Sequence, residues 1–163
     1  MKKIIIIGSP GSGKSTFSKK LHDIFNIPLY HLDLIWHKED KTNISKDEFD
    51  EKLNYILKKD SWIIDGNYNR TLEVRIKNAD TIFLIDLSAQ ECLANIKERI
   101  GKKRSDMPWV EDDLDEEFIK FVVNFPINSL PRIYELLSIY KDKKIVIFKS
   151  REEINNYLRS LEC

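Results

Sequence analysis

IIIIGSPGSGKSTF, residues 4–17, sets four isoleucines ahead of a stretch with three glycines, a lysine and, directly after the lysine, two hydroxyls, and its reading decides the fold. Gly8 to Ser15 fits GxxxxGK[ST] without a gap; an apolar β-branched run precedes it and a helix-like run, Ser15 to Phe25, follows. That strand–loop–helix context turns the pattern into a phosphate cradle. Gly11 and Gly13 let the backbone curl so that the amides of Gly11, Ser12, Gly13, Lys14, Ser15 and Thr16 converge on a polyphosphate, and the helix N-terminus adds the positive end of its dipole. Lys14 can bridge the terminal phosphates and the Ser15 hydroxyl can hold a divalent cation. The ligands to expect are ATP and Mg²⁺; an ordinary glycine-rich turn is the competing reading.

Working outward, apolar runs recur at 2–7, 27–32, 62–65, 81–86 and 144–149. Most are continuous rather than alternating, the pattern of strands covered on both faces of a parallel sheet. Ser45 with Glu48, Ser88 with Glu91, and Ser150 with Glu153 each place a carboxylate three residues after a serine, as a capping box requires. The fold to expect is α/β: a three-layer sandwich around a five-stranded parallel sheet, with residues 1–163 as one domain. Residues 101–115, GKKRSDMPWVEDDLD, break the pattern with a basic run, a proline and an acidic run, and read as a mobile connector or short lid over a site.

Composition removes several classes of function. Lysine plus arginine and aspartate plus glutamate are each 27, for a net charge of zero, so a nucleic acid is not the expected main partner. Cys92 and Cys163 lack metal-ligand spacing and read as reduced thiols of a cytoplasmic protein. The isoleucine run is too short to cross a bilayer, and the MKK start is unlike a signal peptide. The sequence leaves the oligomeric state open.

The loop, with Pro10-Gly11 ahead of its second half, resembles that of adenylate-kinase-like P-loop proteins. WIIDG at 62–66 is similar to that group's strand-end Asp-Gly, and TIFLIDLS followed by ECLANIKERI is similar to its next strand and helix. HLD at 31–33, Trp36, WIIDGNY, Arg75 to Asp80, RSDM and the Phe118 to Phe125 segment resemble the bacterial DNA topology modulation protein family, over nearly the whole chain. The resemblance implies a nucleoside- or nucleotide-kinase-type fold with strand order 2-3-1-4-5. It also implies that Arg99 flanks the ATP base while Lys103 or Arg104 reaches the transferring phosphate. Cations at a helix C-terminus are favoured by the dipole in any case, so a structural role stays open for them.

Two strand-end acids compete for the metal, Asp65 and Asp86, with Asp65 favoured because Gly66 follows it; capping of the turn at Gly66 and Asn67 is the plainer role. No arginine occurs before Arg70, so the segment from Pro28 to Asn69 lacks the forked cation that grips a phosphorylated acceptor. It offers Asp33 instead, with Tyr30, His31, Trp36, His37, Trp62 and Tyr68 nearby, which suits a hydroxyl-bearing small molecule. Asp33 could take or orient the hydroxyl proton, or simply end a strand while the aromatics serve the core. His22 and His37 read as surface residues, and Arg75 either as a ligand contact or as a helix-surface charge. Arg70 and Arg132 are weaker candidates for the anionic centre. The function to expect is Mg-ATP-dependent phosphoryl transfer to a small acceptor; the alternative is an ATP-dependent switch or ATPase working on a macromolecule, with an effect on DNA topology.

Overall fold

The run at 4–7 is buried from both sides at once. Ile4 and Ile6 pack on one face with Phe17, Leu21, Phe83 and Phe148, while Ile5 and Ile7 pack on the other with Leu53, Leu72 and Ile133. All four isoleucines are fully buried, each contributing about 1.5–3 kcal/mol of apolar burial. The computed structural model describes residues 1–163. Its strands β1 (Lys3–Gly8), β2 (Leu29–His31), β3 (Trp62–Asp65), β4 (Thr81–Ile85) and β5 (Lys144–Phe148) form one parallel sheet in the order β2-β3-β1-β4-β5. The helices are α1 (Lys14–Phe25), α2 (Leu32–Trp36), α3 (Lys46–Leu57), α4 (Asn69–Asn78), α5 (Ala89–Arg99), α6 (Glu116–Asn128), α7 (Leu130–Ile139) and α8 (Arg151–Leu161).

Strand alternation sorts the helices into two layers. Side chains of α3, α4 and α7 join the face of Ile5 and Ile7, and those of α1, α5 and α8 join the face of Ile4 and Ile6. The three serine caps form as their spacing requires: Ser45, Ser88 and Ser150 accept from the amides of Glu48, Glu91 and Glu153. No helix is long and apolar enough to cross a membrane.

One boundary differs from expectation. The second apolar run does not stay extended to Leu32; β2 stops at His31, whose partner Asp65 is the last residue of β3, so the ladder has nothing further to pair with. Leu32 turns inward instead and opens α2, packing against Gly66, where an added Cβ would lie 3.0 Å from the Leu32 Cβ. Asp33 is therefore in the first turn of a short helix, not at a strand end.

Candidate functional site

The loop after β1 is held open by contacts beneath it. Gly11, at φ 78, lies so close to α5 that a Cβ there would meet the Cys92 carbonyl oxygen at 2.4 Å. Asn95 donates to the Gly11 carbonyl at 2.8 Å. Asn67 grips Gly8 twice, accepting from its amide at 3.0 Å and donating to its carbonyl at 2.7 Å. The helix that follows starts from Gly13 at φ 91 with no side-chain cap. As a result the amides of Gly11, Gly13, Lys14, Ser15 and Thr16 have no acceptor in the protein. Ser12 differs: the tight turn ties its amide to the Ser9 carbonyl at 3.1 Å, and its buried hydroxyl has no partner.

Lys14 lies half-buried on the floor of a cleft of about 920 Å³, donating to the Ser9 carbonyl at 2.9 Å and to no carboxylate. Burial pushes its ammonium below the usual lysine range, and the charges of Asp65 and Asp33 oppose that shift only in part. A cation without a counter-ion beside five free amides is an anion site on the chemistry of its donors alone.

Asp65 and Ser15 meet on the same floor. The Ser15 Oγ lies 3.0 Å from Asp65 Oδ2 and 2.7 Å from Asp106 Oδ2, and the His31 Nδ1 lies 2.8 Å from Asp65 Oδ2. Because an ionised carboxylate only accepts, His31 Nδ1 carries the proton of that contact. Burial would raise the Asp106 carboxyl, but hydrogen bonds from Arg104 and Ser15 and the Arg104 charge outweigh it and hold it at about 2. Asp86 is elsewhere, accepting from Tyr134 at 2.6 Å and pairing with Lys149.

Asp33 faces the cleft and accepts from the Tyr68 hydroxyl at 2.6 Å through Oδ1, leaving Oδ2 without a protein partner. Burial, and then the Asp33 charge, push the Tyr68 phenol well above its usual range, so it stays a donor. Tyr68 is stacked on Phe49, with ring centroids 5.3 Å apart, and holds a left-handed backbone at φ 39.

That backbone is set by Arg75, which is neither a surface charge nor a cleft residue. It is fully buried and donates to the carbonyls of Gly66, Asn67 and Tyr68. Burial lowers its pKa to about 9, which still leaves it charged at neutral pH. Replacing Arg75 with methionine strands three carbonyls and should lower stability by about 3 kcal/mol, read as a fall in denaturation midpoint; Arg75→Lys should recover part of it.

The connector 101–115 folds over the cleft. Arg99, on the last turn of α5, lines it, lies 6.0 Å from the Phe118 ring centroid and pairs through Nε with Glu111 at 3.5 Å. Arg104 also lines it, but its fork is occupied: Nε and Nη2 donate to Asp106 at 2.9 and 2.8 Å, and Nη1 to Glu111 at 3.3 Å. Lys19, Lys103 and Arg151 complete six cations around the cleft, against four carboxylates at Asp33, Asp65, Asp106 and Glu111. A neutral chain thus gathers a positive surplus in one place.

Several candidates lie outside the cleft. Arg70 is paired with Asp50 and Arg132 with Glu135, both on the surface. Tyr30 binds Lys59 on another face, Trp62 is fully buried in the core, and Trp36 packs edge-on to Phe49. His37, expected at the surface, lines the cleft and meets Trp109 with centroids 5.0 Å apart. Asn67, Asp106 and Arg151 were not singled out from the sequence. For Asn67 and Asp106 the only signals were the NY after Asp-Gly and the RSDM run.

Residues 1–65 match the family described as chromatin associated protein KTI12. An adenylate kinase of Thermosipho africanus (strain TCF52B) is 26% identical over 144 residues, covering 83% of this chain and 65% of its own length, so the chain spans less than two thirds of that relative. Among solved structures, shikimate kinase from Bacteroides thetaiotaomicron superposes with a TM-score of 0.56 at 15% identity, covering 98% of this chain and 95% of the other. Shikimate kinase from Aquifex aeolicus gives 0.52 at 24% identity with the same coverage. The chain has the α/β fold of P-loop kinases, with a five-stranded parallel sheet in the order 2-3-1-4-5.

Proposed function

We propose that the protein transfers the terminal phosphate of Mg-ATP to a hydroxyl of a small molecule, with Asp33 engaging that hydroxyl. The observation that carries this is the placement of two unsatisfied groups in one cleft. Five free amides and Lys14 form a site for a polyphosphate, and the free Asp33 Oδ2 in the same cleft can accept a proton. The similarity to a protein named adenylate kinase supports phosphoryl transfer.

Magnesium fits the residues present. Ser15 Oγ has carboxylate oxygens of Asp65 and Asp106 at 3.0 and 2.7 Å, a cluster of hard oxygen donors of the kind magnesium takes. Ser15 and Asp65 would hold the ion, which when bound neutralises charge on the phosphate oxygens. Lys14 and the amides bind the phosphates and stabilise charge as the terminal group moves. Asp33, oriented by Tyr68, aligns the acceptor hydroxyl and takes its proton. Arg99 stacks on the nucleotide base, and the connector excludes water when it covers the cleft.

A hydroxyl acceptor is favoured over a phosphorylated one because no free arginine stands near Asp33 in the first half of the chain. Arg70 is bound to Asp50 and Arg75 to backbone. ADP release measured across nucleosides, nucleoside monophosphates and sugars should stay negligible until a hydroxyl acceptor is added. Preference for a monophosphate would sink the hydroxyl assignment.

The match of residues 1–65 to a chromatin-associated family favours a second reading, an ATP-driven switch on a macromolecule. That reading requires steady ADP release by the protein alone or with added DNA, and no stimulation by small acceptors.

A further inference from the structure

We infer that Asp106, carried on the connector and oriented by Arg104, is a third protein oxygen for the divalent cation, so that cation binding and closure of the connector are one event. The inference rests on the Mg-nucleotide reading above.

Asp106 and Ser15 are 91 positions apart in the chain, yet Asp106 Oδ2 comes within 2.7 Å of Ser15 Oγ and the residue is 8% exposed. Its carboxylate is fixed from behind. Arg104 binds both oxygens, Glu111 binds Arg104, and the amide of Gly101 donates to the Glu111 carbonyl at 2.7 Å, closing the 101–111 loop on itself. All three Arg104 nitrogens already donate to carboxylates in this arrangement. It is a positioning residue for Asp106.

Two carboxylates converge on one hydroxyl. The single Ser15 proton is shared between Asp106 Oδ2 at 2.7 Å and Asp65 Oδ2 at 3.0 Å, and His31 Nδ1 meets the same Asp65 oxygen at 2.8 Å. Oxygens bound at about 2.0–2.1 Å on neighbouring corners of an octahedron lie about 2.9 Å apart, so these three oxygens already stand at separations that one such ion spans.

The rival explanation is that Asp106 fills the place of a phosphate. A phosphate stand-in would accept from the free amides or from Lys14. Asp106 accepts from neither, only from Ser15 and Arg104.

The test is calorimetry of a non-hydrolysable ATP analogue on the full chain, in excess EDTA and in excess MgCl₂. The wild type, Asp106→Asn and Arg104→Lys would be compared, with trypsin cleavage after Lys102 or Lys103 as a second readout. For wild type, magnesium should tighten binding and protect the connector. In Asp106→Asn the tightening by magnesium should fall about tenfold or more and the protection disappear, while metal-free binding is kept or strengthened because a carboxylate beside the phosphate site is neutralised. Arg104→Lys keeps the charge but loses the fork, and should give a smaller loss of the same kind, which keeps the inference testable if Asp106→Asn does not fold. An unchanged magnesium effect in either folded variant overturns it. A wild type that binds no analogue in either buffer overturns the kinase reading as well, and that outcome is distinct from the others.

Discussion

Lys14→Met should abolish useful ATP binding while leaving the free protein as stable as before, or more so. The two halves of this result have one cause. In the free protein the Lys14 ammonium is crowded by protein, hydrogen-bonded to a carbonyl and paired with no carboxylate, and its pKa is lowered chiefly by burial. A lysine whose pKa is lower in the folded than in the unfolded chain holds its proton less tightly when folded. Its charge therefore works against folding below the folded pKa, and that penalty fades as pH rises through the window between the two values. Methionine fills similar volume without the charge. Binding behaves oppositely, because a polyphosphate supplies the missing counter-charge. Charge-assisted hydrogen bonds of this kind contribute about 1.5–3 kcal/mol each to affinity, and loss of one such donor lowers turnover about 10²–10³-fold. Calorimetry with ATP and a melting curve on the same variant check both halves. A variant that melts much lower but still binds ATP would make Lys14 a structural residue and leave the cleft without its phosphate anchor.

What was legible in the sequence was whatever local pattern alone determines. The four isoleucines announce a strand covered on both faces because no polar residue interrupts either face, and the serine caps form because three residues is the reach of a serine oxygen to an orphan amide. The cradle was legible for the same reason, since its glycines and its lysine are consecutive. The parts that escaped depend on distant pieces. Asp106 sits between a basic and an acidic run, and nothing local shows that it returns to Ser15. Ser12 belongs to the cradle motif, yet its amide is used within the turn, a geometric detail the motif does not carry. Arg75 is different, because a signal was present. It follows Leu72 by three residues and precedes Ile76, which places it on the buried stripe of α4, where a cation is tolerated only if it satisfies backbone carbonyls.

The second large effect concerns Asp33, whose two roles, structural and chemical, one substitution separates. Asparagine keeps the size of the side chain and an amide oxygen that accepts from Tyr68, so Asp33→Asn should melt with the wild type and bind ATP as tightly. What it removes is the negative oxygen without a protein partner, the one assigned above to the acceptor hydroxyl. General-base assistance contributes about 10²–10⁴ in rate, so acceptor-dependent ADP release should fall by a factor in that range, mainly in kcat. Tyr68→Phe should do the converse. It leaves the carboxylate charged but free to rotate, so turnover should fall less than in Asp33→Asn, and the loss of ring-to-carboxylate anchoring should appear partly in KM for the acceptor. If Asp33→Asn lowers the melting temperature and turnover together, with Tyr68→Phe matching it in both, the carboxylate serves the 66–68 turn rather than the acceptor. If turnover survives in Asp33→Asn at full stability, the hydroxyl proton leaves by another route, and His31 and His37, the other groups in the cleft able to take it, become the next positions to change.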